Sequence, residues 1–265
     1  MDAPDQVNNS LAGKNAMVLG VANHRSIAWG IAQELAARGA RLCLTYQGER
    51  FQGTLEKLAQ EAGFKDPLLL PLDVNDDAQM DSAFEVVRKE MGGLDALAHC
   101  IAFAQREDLE GDFRATSRDG WRVALEVSAF SLVALAKRAT PLMEGRNGTM
   151  IALSYLAAER AVPNYNVMGS AKAALEQCVR QLALELGPLG IRVNCISAGP
   201  IATLSARGIG GFTHMVGKAA EKAPLKRNVT LEDIGKSAYY LLSDLSSGVT
   251  GETIYVDCGY NIVGV

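Results

Sequence analysis

The chain has 265 residues, 48% of them hydrophobic and 21% charged, which is enough apolar material for one large buried sheet and too little charge for a disordered chain. A formal net charge of −4 argues against a surface built to neutralise nucleic-acid phosphates, which needs concentrated Lys and Arg. The polar opening Met1 to Ser10 and the absence of any run of about 18 apolar residues point to a cytoplasmic chain, without secretory signal or membrane span, whose residues 1–10 form a flexible tail.

Strand-like apolar runs follow in order: Asn15 to Gly20, Arg41 to Tyr46, Leu68 to Val74, Leu94 to Ala102, Gly148 to Ser154, Ile191 to Ser197 and Glu252 to Asp257. Helical stretches separate them, such as Ser26 to Arg38, closed by Gly39 as a left-handed terminator. Continuous runs such as Met17-Val18-Leu19 and Leu68-Leu69-Leu70 suit parallel strands covered on both faces. The expectation is a single α/β domain over residues 11–265, a doubly wound Rossmann-type parallel sheet of about seven strands. The segment Ala202 to Ala223 breaks the alternation. Its Gly208, Gly210 and Gly211 precede Phe212, Met215 and Val216, which suits either a substrate lid over residues 202–223 or an ordinary surface helix. Its position after a strand, at the carboxyl edge, favours the lid.

The five cysteines lie mostly in apolar runs without a Cys-x-x-Cys pair, so core thiols are expected; His24, His99 and His214 are too scattered for a metal site, so no metal is expected.

After the first strand, Gly20-Val21-Ala22-Asn23-His24-Arg25-Ser26-Ile27-Ala28 turns into a helix without satisfying G-x-G-x-x-G. Gly20 lets backbone approach a pyrophosphate, Ser26 and Ile27 present helix-terminal amides to it, and Ser26 is also a candidate cap. The second strand ends Thr45-Tyr46-Gln47 without the acid that usually holds a ribose hydroxyl. Neutral Gln47 suits adenosine, while Arg50 would attract a 2′-phosphate; NADH is favoured over NADPH. Asp73 and Val74 are placed to flank an adenine, with a helix cap as the alternative role for Asp73.

The stretch from Ser154 and Tyr155 through Pro163, Tyr165 and Met168 to Lys172 leaves a strand, crosses a loop and enters a helix. Seven residues of helix are about 700°, so Tyr165 and Lys172 share a face with about 10.5 Å of rise between them. A lysine there holds ribose hydroxyls and lends positive potential; a phenol donates to an oxygen gaining charge. A merely solvated face is the alternative.

At these residues the sequence resembles the short-chain dehydrogenase/reductases, with two departures. Met168 stands four residues before Lys172, where classical members have the proton-donating tyrosine, and Tyr155 stands where they have a serine. Tyr155, Tyr165 and Lys172 instead match the Tyr-x6-Lys variant of the bacterial enoyl-acyl-carrier-protein reductases. The likeness runs from about Leu11 to the end, through His99 to Ala104, Arg192 to Ile201 and Gly251 to Gly259. It implies cofactor contacts for Ile101 and for Ile201, Ala202, Thr203, Leu204 and Ser205, and a substrate contact for Ala104 beside Tyr155 and Tyr165. It further implies reduction of trans-2-enoyl thioesters by NADH, acyl carrier protein as the bearer of the substrate, and a homotetramer for which the tail Tyr260 to Val265 supplies apolar surface. Lys218, Lys222, Lys226, Arg207 and Arg227 are either a surface for that acidic carrier or an ordinary solvated charge run. Ala102 departs from the glycine of several members beside the cofactor. A 3-oxoacyl or other carbonyl reductase, needing a new proton donor in place of Met168, and a catalytically silent dinucleotide sensor remain the alternatives.

Overall fold

The computed structural model describes residues 11–203 and 212–264, the side chains of residues 212 and 213 excepted. The expectation of a flexible tail at 1–10, the cofactor contacts at Leu204 and Ser205, and the glycines of the proposed lid therefore lie outside the described residues.

Seven strands form one parallel sheet: β1 (Asn15–Leu19), β2 (Arg41–Tyr46), β3 (Leu68–Pro71), β4 (Ala96–His99), β5 (Thr149–Ser154), β6 (Arg192–Ala198) and β7 (Thr253–Val256). Their order is β3-β2-β1-β4-β5-β6-β7, so the winding reverses between β1 and β4 and opens a crevice at their carboxyl ends. The helices are α1 (Ile27–Ala37), α2 (Gln52–Glu61), α3 (Asp77–Met91), α4 (Arg118–Leu125), α5 (Ser131–Met143), α6 (Asn166–Leu186), α7 (Phe212–Lys222) and α8 (Leu231–Leu241). Alternation along β1 shows how both faces are used: Met17 and Leu19 enter the core with α3, α5 and α6, while Ala16 and Val18 enter the one with α1 and α8. On the second face, Gly30 of α1 meets the backbone of Leu231 where α8 begins, and Gly235 meets the carbonyl of Gly30. The two helices approach as closely as they do because both positions lack a Cβ.

Two strands end earlier than their apolar runs. β3 stops at Pro71, which has no N–H for the ladder, leaving Asp73 and Val74 just beyond it. β4 spans only Ala96–His99; the carboxylate of Asp95, just before it, accepts from the Asn15 amide and from Lys14, and residues after His99 leave the sheet for the crevice. Of the five cysteines, Cys43 and Cys195 are buried in the core, and Cys100, Cys178 and Cys258 are partly buried and packed against the cores. Among the described residues, no helix is long and apolar enough to cross a membrane.

Candidate active site

The crevice between β1 and β4 collects most of the residues singled out from the sequence. Gly20 ends β1 with φ +91°, and a Cβ there would lie 2.3 Å from the carbonyl oxygen of Cys100. Glycine is thus required by the neighbouring chain leaving β4. Ser26 occupies the N-cap position of α1 but makes no side-chain cap bond. Its hydroxyl accepts from the amides of Ala22 and Asn23 and donates to the carbonyl of Asn23, so it shapes the turn instead of capping the helix. With no cap bond and no acid in the first turn, the opening amides of α1, Ile27 among them, stay available for an anion. By contrast α3 is closed by Asp76 and α8 by the Thr230–Asp233 capping box. These features fit a pyrophosphate.

At the far end of the crevice the Gln47 amide donates to Asp73 at 2.9 Å. Asp73 does not cap α3, a role that belongs to Asp76. It accepts instead from the backbone and side chain of Asn75, and although burial pushes its carboxyl upward, these bonds and that from Gln47 hold it below the ordinary value. Arg50 lies over the ring of Phe51 with 4.7 Å from guanidinium carbon to ring centroid. Val74 and Ile101 pack against one core and Ile201 against the other, while Ala202 is exposed and Thr203 closes a tight turn onto the Ile201 carbonyl at 2.7 Å.

Tyr165 is not inside a helix, as its spacing to Lys172 suggests, but stands at the N-cap of α6. There its ring tilts against Tyr155 with centroids 4.9 Å apart and planes at 58°. Burial pushes the Tyr155 phenol up to about 12, with Tyr260 and Asp257 adding to the effect. Burial, and secondarily Tyr155, also raises the Tyr165 phenol. Both hydroxyls therefore keep their protons at neutral pH and can donate. Tyr165 and Ala104 both pack against the cluster that contains Val167 and Met168, which places the expected substrate contact Ala104 and the expected phenol on one apolar cluster. The helix α7 reaches the pair through Met215, whose sulfur accepts from the Tyr155 hydroxyl at 3.3 Å.

Lys172, two turns into α6, is buried and donates to the carbonyl of Leu153 at the end of β5, 2.6 Å away. Burial lowers its amine to about 8, opposed by Cys195, Cys100 and Glu176. Sequence reasoning missed how the buried polar groups around this lysine are paired. Ser154 donates to Glu176 at 2.5 Å. His99 shares a 2.7 Å bond with Ser131, whose hydroxyl donates to the Val127 carbonyl, so Nε2 carries the imidazole proton. Its Nδ1 has no hydrogen-bond partner, and burial holds the ring neutral with a pKa down at about 3. The signal for Glu176 was present, because it interrupts the apolar stripe formed by Met168, Ala171, Leu175 and Val179. For His99 there was none, since Ser131 reaches it only through a π-helical turn at Glu126–Phe130 that no local pattern announces.

A family model described as Enoyl-(Acyl carrier protein) reductase matches residues 20–261. The chain is 51% identical over 254 residues to a Bacillus cereus protein named Enoyl-[acyl-carrier-protein] reductase [NADH] FabI, covering 96% of this chain and 99% of that one. It is 49% identical over 254 residues to a Staphylococcus aureus protein named for NADPH instead, with the same coverage. A crystal structure of the Bacillus cereus reductase with NADP+ and indole naphthyridinone superposes with a TM-score of 0.95 at 50% identity, covering 97% of this chain and 100% of the other.

Proposed function

Because this chain belongs to the enoyl-(acyl carrier protein) reductase family, we propose that its tyrosine pair and Lys172 carry out the reduction of trans-2-enoyl thioesters on acyl carrier protein, the last reductive step of fatty acid elongation. The observation that carries this assignment is the pair of protonated phenols at the mouth of α6, 4.9 Å apart, with apolar Met168 where a carbonyl reductase needs its proton donor.

A nicotinamide dinucleotide bound in the β1–β4 crevice supplies the hydride for the substrate β-carbon. Gly20, the amides at Ser26 and Ile27, Gln47, Asp73, Val74, Ile101, Ile201, Ala202 and Thr203 would line its course, and Lys172 would hold its ribose. Negative charge then gathers on the thioester oxygen as an enolate, which the Tyr165 hydroxyl stabilises by donating a hydrogen bond. Protonation at the α-carbon completes the reduction. Tyr155 and Ala104 shape the substrate end, and α7, which touches Tyr155 through Met215, acts as its lid. NADH is preferred to NADPH, because the ionised Asp73 tied to Gln47 opposes a 2′-phosphate and Arg50 lies over its own neighbouring ring. Lys218 and Lys222 on α7 face the acidic carrier, whereas Lys226 is bonded to the Glu221 carbonyl and Arg227 to Asp233. The enzyme is cytoplasmic and works as a homotetramer, for which a native mass of four chains is the measure.

The variant Tyr165→Phe tests the assignment. Removing one donor to a developing oxyanion lowers kcat by about 10² to 10³ and leaves the dinucleotide Kd nearly unchanged. A kcat within a factor of two of the parent would remove Tyr165 from the chemistry.

A further inference from the structure

Lys172 lies among groups that differ in what they offer an ammonium. Cys100 and Cys195 are thiols whose burial pushes each up to about 12, so neither carries charge at neutral pH. His99 is neutral. Glu176 alone among these neighbours brings a carboxylate, and it stands four residues beyond Lys172 on α6, on the face that burial has chosen.

The two side chains also share an anchor. Lys172 donates to the carbonyl of Leu153, and Glu176 accepts from the hydroxyl of Ser154, the next residue along. Two consecutive residues at the end of β5 thus bind two consecutive turns of α6, immediately before Tyr155. A carboxylate that is 5% exposed is expensive to bury for packing alone, which argues that its charge is used.

We propose that Glu176 is a positioning residue for the reaction: its buried carboxylate, fixed by Ser154, keeps the Lys172 ammonium charged and directed toward the end of β5. The inference rests on the role given to Lys172 above. Glu176 is itself raised by burial first and by Glu159, while the Ser154 bond, Arg180 and Lys172 act to keep it ionised; Tyr255 lies close enough to feel its charge.

Two readouts test this. The first follows the Lys172 side-chain carbon beside the amine by NMR in cofactor-free protein carrying ¹³C-labelled lysine, with Lys172→Arg identifying the signal. The second is the pH profile of kcat/KM with an enoyl thioester. In Glu176→Gln, which keeps the shape and a hydrogen bond to Ser154, the lysine titration and the alkaline limb both move to lower pH, the direction of losing an opposite charge. A merely structural Glu176 would lower kcat equally at every pH and leave both titrations in place, which overturns the proposal. Should Glu176→Gln fail to fold, Glu176→Asp retains the charge at greater distance. A smaller shift in the same direction then supports the proposal, and none overturns it. If Lys172→Arg removes no alkaline limb from the parent profile while the NMR titration still moves in Glu176→Gln, the catalytic reading of Lys172 fails and the electrostatic pairing stands.

Discussion

Below about pH 8 the Lys172 amine is a cation, and above it the buried group gives up its proton. The ordinary lysine value lies well above 10, so the direction of the shift fixes the sign. Activity that depends on the cation is present on the acid side of the folded-state pKa and is lost as pH rises through it, about tenfold per unit. Neither phenol releases its proton in that range, since Tyr155 stands at about 12 and Tyr165 is raised further above its ordinary value. A single alkaline limb near pH 8 in kcat/KM is therefore expected, and two limbs between about pH 6 and 9 would contradict the description of the site. How far the residues could be read from sequence depended on the range of their interactions. Tyr155, Tyr165 and Lys172 were visible as a spaced motif. The Gln47–Asp73 bond spans 26 positions, and the Ser131 partner of His99 is supplied by another element. Such contacts exist only once the topology has placed two chain segments together.

The strands were legible because parallel strands covered on both faces must be apolar along their length, and all seven appeared close to where their apolar runs lie. Their ends were less so: Pro71, which has no N–H for the ladder, cuts one run short for a reason that hydropathy does not register. The spacing argument placed Tyr165 on the same helix as Lys172, whereas Tyr165 takes the cap position and Asn166 the first helical one. The contact of α1 with α8 was not foreseen either, although its cause is a local one, two glycines facing each other across the interface. A methyl group at Gly30 would lie 2.8 Å from the Leu231 Cβ and 2.9 Å from its carbonyl oxygen, both closer than packing allows. Gly30→Ala is thus expected to destabilise the fold by about 1 to 3 kcal/mol, read as a fall of several degrees in Tm. An unchanged or raised Tm, the usual result of Gly→Ala inside a helix, would show that α8 can yield.

At the scale of the whole molecule, the winding order is what turns scattered residues into one site. Reversal between β1 and β4 gathers the Gly20 turn, the Gln47–Asp73 pair and the chain after His99 at one edge of the sheet. The crossover from β5 into α6 sets Tyr155, Tyr165 and Lys172 against the same edge. The α7 helix, arriving after β6, contacts the tyrosine pair through Met215. An apolar cover, two phenols and a buried cation suit conjugate reduction of an acyl thioester; they leave a 3-oxo group without the proton donor that Met168 displaces. The most direct measurement is the loss of dinucleotide absorbance with crotonyl thioester and, in parallel, with acetoacetyl thioester, each with NADH and with NADPH. Consumption of NADH that requires the crotonyl substrate, with little or none for the acetoacetyl one, is the predicted result. Reduction of the acetoacetyl thioester alone, or binding of dinucleotide without turnover of either substrate, would contradict the account.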